Sequence, residues 1–232
     1  VDMVHRDLMA DSGEAKPHSG DDLSTSTYVD CGKLLPGFEF AIIGEDGVRL
    51  DDRQCGQIFL KGPSVMSGYF KDEESTRQLL SEDGWLNTGD IGYCIGDHLV
   101  ITSRSKDVII IKGRNIWPYD LEVLAQQTGG VKLGGVAAFS VTDDSQEERA
   151  VLVVETKEKD TLERQNIVDE IIRSIHMHFG INVLIDLTPR GTLPRTSSGK
   201  LSRSQSKQDY LARRTLQDVE QSAARVAESQ PA

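Results

Sequence analysis

Residues Ile91 to Lys112 read IGYCIGDHLVITSRSKDVIIIK, and a change of pattern inside this stretch decides the fold. Ile91 to Ile95 and Leu99 to Thr102 are short strand-like runs on either side of a Gly96-Asp97 turn. Upstream, Phe38 to Ile43 and Gln57 to Lys61 flank the turn residues Glu45-Asp46-Gly47, and Asp72 to Leu80 reads as a helix with an acidic start that ends before Asp83-Gly84. Residues 29–104 are therefore expected to form a small antiparallel, barrel-like β subdomain. After Arg104 strands and helices alternate: a strand over Val108 to Lys112, a helix opened by Pro118, strands over Val136 to Val141 and Ala150 to Glu155, a longer helix, and a strand over Val183 to Leu187. This pattern predicts a separate α+β domain over 107–232, joined through 105–106, so the fold class is α+β. In the longer helix Val168, Ile171, Ile172, Ile175 and Phe179 share one face, which is read as core. Gln208 to Ala227 reads as a final helix with a fraying polar tail.

Residues 1–28 mix charge, Gly and Ser/Thr without sustained periodicity, as in Ser19-Gly20-Asp21-Asp22, and read as a linker or partly ordered segment. The chain has 232 residues, 38% of them hydrophobic, enough to fill real cores. Its net charge of −11 gives no electrostatic footprint for nucleic acid. Cys31, Cys55 and Cys94 lie too far apart for a close zinc or redox pair, which suits a reduced cytoplasmic compartment. No run approaches the ~20 apolar residues of a membrane span, and Val1 to Asp22 is not signal-like. The chain starts at Val1 without a Met, which together with the motifs below suggests a piece of a larger protein.

The chemistry lies in loops. In Thr88-Gly89-Asp90 the glycine permits close backbone approach and the carboxylate can accept two hydroxyls of a vicinal diol; a bare Thr-Gly-Asp is more often a tight turn whose Asp bonds its own backbone. Arg104 can contact ribose or phosphate oxygens, and Lys106 follows two residues later. Lys200 sits in a Ser/Gly loop with Arg190, Arg195, Arg203 and Lys207, and no acid occurs between Leu187 and Gln208. An ammonium there could bridge two anions; alone, the stretch reads as a solvated basic loop. His176 and His178 resemble a metal pair, but residues two apart on a helix point away from each other, so no metal site is assigned.

In order, the loops are Gly84-Trp85-Leu86-Asn87-Thr88-Gly89-Asp90, Ser103-Arg104-Ser105-Lys106-Asp107, Lys112-Gly113-Arg114-Asn115-Ile116-Trp117-Pro118 and Leu193-Pro194-Arg195-Thr196-Ser197-Ser198-Gly199-Lys200-Leu201-Ser202-Arg203. With Cys31 to Gly37 and Gly62 to Tyr69, this ordered set resembles the adenylate-forming superfamily of acyl-CoA synthetases, luciferases and peptide-synthetase adenylation domains, over roughly residues 28–205. The resemblance implies that Asp90 holds the adenylate ribose, Arg104 contacts the nucleotide, Lys106 is the hinge of a mobile C-terminal domain, Gly113 borders a pantetheine thiol channel, and Lys200 is catalytic. Ser103 stands where many relatives have Gly. Pro118 and Glu122 match positions that start and stabilise the next helix.

Gly113-Arg114-Asn115-Ile116-Trp117-Pro118 and Val1-Asp2-Met3-Val4-His5-Arg6 followed by a polar stretch are similar to fatty acyl-AMP ligases, whose insertion before the β subdomain restrains the small domain. The implied activity is ATP-dependent formation of fatty acyl-AMP and transfer to the phosphopantetheine of an acyl carrier protein or a polyketide synthase carrier domain. Transfer to CoA by an acyl-CoA synthetase is the alternative, and a non-catalytic carrier-docking module is the alternative of another class. ATP and AMP are the implied nucleotides, with Mg2+ expected for the full-length enzyme through ligands outside this chain. The Ser-Gly-Thr-Thr-Gly phosphate loop and Tyr-Gly-x-Thr/Ala-Glu motif of the family are absent, so the chain alone is expected to be inactive.

Overall fold

The computed structural model describes residues 1–20, 24–142 and 147–228, with 216–228 described by their backbone alone. Asp21 and Asp22 of the expected loop, and the tail beyond Glu228, lie outside the described residues. The chain divides into two compact units, Val1–Trp117 and Pro118 onward.

In the first unit the main sheet is built from β3 (Asp30–Lys33), β4 (Glu39–Ile43), β5 (Gly56–Lys61), β6 (Leu86–Ile95) and β7 (His98–Arg104). Their order is β3-β7-β6-β5-β4, with every neighbouring pair antiparallel. The expected barrel-like arrangement gives way to an open sheet: closure would require β3 to pair with β4, and these remain separate edges. Ile42, Ile58, Cys94 and Leu99 pack on this sheet, a set supplied by alternate strand residues. Helix α2 (Glu73–Leu79) lies between β5 and β6 in sequence and is capped by Asp72, which accepts from the Ser75 N–H at 3.0 Å.

The amino-terminal stretch departs from its reading as a linker. β1 (Asp2–His5) pairs with β2 (Thr25–Tyr28), α1 (Arg6–Ser12) lies between them in sequence, and Val4, Met9, Ala10, Ala15 and Tyr28 are buried with Tyr93, Val100 and Trp117. Asp2 accepts both Arg53 guanidinium nitrogens at 3.0 and 3.2 Å and the Tyr93 hydroxyl at 2.7 Å. Elements of four to seven residues are too short to show periodicity; what orders them is burial against Tyr93, Val100 and Trp117, far away in the sequence. A single 3-10 turn over Ser105–Asp107 leads to a hairpin of β8 (Ile109–Ile111) and β9 (Arg114–Ile116).

The second unit contains α3 (Pro118–Ala125), β10 (Val131–Thr142), β11 (Glu148–Thr156), α4 (Thr161–Phe179), β12 (Val183–Pro189) and α5 (Arg203–Glu228). The sheet order is β10-β11-β12; β10 and β11 are antiparallel, and α4 makes the crossover that lets β12 run parallel to β11. Ala137, Phe139, Val141, Val151 and Val153 form one core with Tyr210 of α5, while the alternate residues Val136, Ala138, Leu152 and Val154 are buried on the other face. With both faces covered, these strands read as continuous apolar runs. Helix α4 is capped by Asp160, which accepts from the Leu162 and Glu163 N–H groups, and ends at Gly180 with φ 67°. Its fully buried stripe is Ile167, Ile171, Ile175 and Phe179, one residue off the expected face at its start, with Val168 and Ile172 half-buried. No helix among the described residues is long and apolar enough to cross a membrane.

Candidate functional site

In the β6–β7 ladder Asp90 stands directly opposite Arg104. The main chain thus brings the two side chains to one place, and Arg104 Nε forms an ion pair with Asp90 Oδ1 at 2.9 Å. The Asp90 side chain is 23% exposed and that of Arg104 58%, so the carboxylate is shielded while the cation reaches solvent. Gly89 takes φ 71°, a conformation that L side chains rarely adopt, and its N–H donates to Asn87 Oδ1 at 2.9 Å. Thr88 fixes this irregular stretch of β6 against β5: its hydroxyl donates to Ile58 O at 2.9 Å and accepts from the Asp90 N–H at 3.1 Å. The second carboxylate oxygen, Oδ2, has no hydrogen-bond partner among the described residues, which leaves an acceptor for a hydroxyl.

Lys106 lies in the 3-10 turn that follows β7, two residues beyond Arg104. Gly113 lies in the two-residue turn between β8 and β9, where Ile111 pairs with Arg114. Lys112 and Gly113 have φ 53° and 78°, the primed-turn geometry that requires positive φ at both positions. A Cβ at Gly113 would meet nothing within 4 Å, so the turn itself accounts for a glycine here. Arg114, the next residue, donates from Nε to Asp11 at 2.5 Å and approaches Asp7 at 3.6 Å, both on α1.

Lys200 is built separately, in the second unit, on the loop between β12 and α5. Arg195 and Leu201 form an isolated bridge; the Thr196 N–H donates to Lys200 O at 2.8 Å and the Gly199 N–H to Thr196 O at 2.8 Å. The Thr196 hydroxyl also accepts from the Lys200 N–H at 3.2 Å. The Lys200 backbone is thereby fixed while its exposed ammonium has no ion-pair partner among the described residues. At the loop's end, Arg203 donates to both oxygens of Glu122 at 2.7 Å, and Glu122 also accepts from the Ala138 N–H at 3.0 Å.

Comparison with known proteins gives these loops a common context. No family model matches the chain. A Caulobacter vibrioides protein named as an acyl-CoA synthetase is 40% identical over 214 residues, which cover 91% of this chain and 36% of that protein. A long-chain-fatty-acid–AMP ligase of Mycobacterium marinum is 35% identical over 214 residues, covering 75% of this chain and 34% of its own length. Among solved structures, one from the fatty acyl-adenylate ligases of E. coli and L. pneumophila superposes with a TM-score of 0.81 at 36% identity, over 93% of this chain and 38% of that one. The chain belongs to the adenylate-forming ligases. It spans little more than a third of the relatives it matches, their carboxyl-terminal part.

For an adenylate-forming ligase, the open Asp90 oxygen beside an exposed guanidinium is chemistry that suits a ribose and its phosphate. Among the described residues no three His, Cys, Asp or Glu side chains converge on a point that could hold a metal ion, and no residue of this segment is assigned to Mg2+. His176 is exposed and the His178 ring bonds Ser174 O at 2.5 Å within α4. Sequence reasoning passed over the residues that hold these segments: Thr88 as a half-buried hydrogen-bond hub, and Glu122 as the partner of Arg203 rather than of its own helix alone. A Glu on the apolar face of a helix was the available signal for the second.

Proposed function

We propose that this segment belongs to an enzyme that joins a fatty acid to ATP to form fatty acyl-AMP, and then delivers the acyl group to a phosphopantetheine thiol of an acyl carrier protein or polyketide synthase carrier domain. The observation that carries this reading is Lys200: its backbone is clamped in a tight loop, its ammonium has no ion-pair partner among the described residues, and no acid occurs between Leu187 and Gln208. In acyl adenylation a carboxylate oxygen attacks the α-phosphorus while the bond to pyrophosphate breaks. Two anions must meet and negative charge grows on the non-bridging oxygens. An ammonium that bridges carboxylate and phosphate supplies stabilisation where that charge develops, and the loss of such a contact costs about 10²-fold or more in rate. In this reading Asp90 accepts from the ribose hydroxyls and Arg104 contacts ribose or phosphate. Lys106 absorbs the rotation that exchanges Lys200 for the thiol channel at Gly113.

A specific contact favours an acyl-AMP ligase over an acyl-CoA synthetase. Asp7 and Asp11 of α1 grip Arg114 beside Gly113, so the amino-terminal segment restrains the hairpin that rotation about Lys106 would carry away. CoA transfer is the second reading.

The test uses the full-length enzyme with fatty acid, ATP and either CoA or holo carrier protein. Lys200→Ala should lower acyl-AMP formation by about 10²-fold or more while transfer from supplied acyl-AMP stays largely intact. Equal loss of both half-reactions would refute the assignment, and product on CoA in preference to the carrier would select the second reading.

A further inference from the structure

We propose that Glu155 and Lys132 are positioning residues for Lys200, acting as an ionic seat that sets where its loop leaves the sheet. The inference rests on the assignment of Lys200 to acyl-AMP formation.

Glu155 is the penultimate residue of β11, paired with Thr188 of β12, and is 1% exposed. Beyond Pro189 the chain leaves the ladder, and its N–H groups need other acceptors. Glu155 Oε1 supplies them: it accepts from the Gly191 N–H at 2.7 Å and the Leu193 N–H at 3.0 Å. Its other oxygen, Oε2, accepts from Lys132 Nζ at 2.6 Å. A buried carboxylate is costly without such partners, and every partner here is either the loop backbone or Lys132. Burial alone would raise the Glu155 pKa; Lys132 and the two N–H donors outweigh it and hold the carboxyl below its usual range.

Lys132 reaches Glu155 because β10 is interrupted. Val131 pairs with Thr156 and Val136 with Val154, so residues 132–135 stand opposite the single residue Glu155. Gly135 makes the fit possible: a Cβ there would lie 2.9 Å from Lys132 Cβ and 3.0 Å from Glu155 Cβ. The same bulge presents Gly134 O to Arg195 Nη2 at 2.6 Å, and Arg195 Nη1 donates to Gly199 O at 3.1 Å, next to Lys200. One irregularity in β10 thus holds the loop at its start through Glu155 and at its middle through Arg195. An apolar pair would fill the same space with less desolvation, but it could not accept from Gly191 and Leu193.

The experiment compares Glu155→Gln, Glu155→Leu, Lys132→Met and Lys200→Ala in the full-length enzyme, measuring acyl-AMP formation from fatty acid and ATP and, separately, thiol transfer from supplied acyl-AMP. Displacing a catalytic group by about 1 Å can cost about 10²-fold, so Glu155→Leu and Lys132→Met should lower kcat for adenylation by about 10- to 100-fold, with KM for ATP and the transfer rate changed by less than about threefold. Glu155→Gln should fall between these and wild type, because its amide oxygen still accepts from the loop but cannot balance Lys132. Unchanged adenylation in Lys132→Met and Glu155→Gln, or equal losses in both half-reactions, would overturn the seat. If Glu155→Leu fails to fold, these two variants decide. Should Lys200→Ala itself leave adenylation intact, it is the Lys200 assignment that falls, an outcome distinct from failure of the seat.

Discussion

In the first unit Asp90 and Arg104 meet because β6 and β7 pair, and every residue between them follows from a main-chain ladder and its turn. In the second unit the Lys200 loop lies past the end of β12 and is held by groups of distant sequence origin: the Glu155 and Glu122 carboxylates and the Gly134 carbonyl of the bulge. The difference teaches that one half of the candidate chemistry is fixed by backbone hydrogen bonding, which tolerates side-chain change. The other depends on a few buried charges, each exposed to single substitutions.

The sharpest way to break this contrast is Arg203→Ala. It leaves Glu122, whose side chain is 6% exposed, without its bidentate partner, and loss of one partner of a buried pair costs about 3–5 kcal/mol. Urea denaturation of the second unit should report that loss; a change below about 1 kcal/mol would mean the loop is held otherwise.

Acid should expose the same dependence more gradually. The folded-state pKa of Glu155 is depressed, so its contribution is present above the ordinary value of 4.5 and is lost as pH falls through the lower folded value. The stability difference between wild type and Glu155→Gln should therefore shrink as pH is lowered below about 4.5, and a difference that stays constant would deny Glu155 its charged role.

Smaller effects belong to the first unit. Gly113→Ala places a side chain at φ 78° in otherwise open space, so it should cost about 1–2 kcal/mol from backbone strain alone, read from thermal unfolding. Arg104→Ala should cost less than about 1 kcal/mol, since the guanidinium is largely exposed and such pairs contribute little. Adenylation measured on the same Arg104 variant should fall far more than its stability; a stability loss as large as that of Arg203→Ala would erase the distinction between the two regions.

Most of the regular elements were legible in the sequence, and the reasons are local. The strands that became β4, β5, β6, β7, β10, β11 and β12 carry alternating or continuous apolar runs bounded by turn residues, and α4 carries a stripe at helical spacing between Asp160 and Gly180. The candidate site residues were legible only as an ordered set of loops; taken singly, Thr88-Gly89-Asp90 or the basic loop around Lys200 is ordinary turn chemistry. What could not be read was non-local. The order of residues 1–20 depends on burial of Val4 and Met9 with Tyr93 and Trp117, and sheet closure depends on whether two edges meet. The seat depends on a bulge that brings Lys132 back over Glu155, and no spacing rule announces it.

The burial of Trp117 has an optical consequence. Its indole is 3% exposed among Val4, Met9, Ala10 and Ala15, at the last position of the first unit, and the chain's other tryptophan, Trp85, is already partly exposed. The rotation proposed at Lys106, if it carried residues 107–117 with it, would take this ring out of its apolar surroundings. In this segment with Trp85→Phe, one indole remains, and its emission would shift to longer wavelength if that burial were lost.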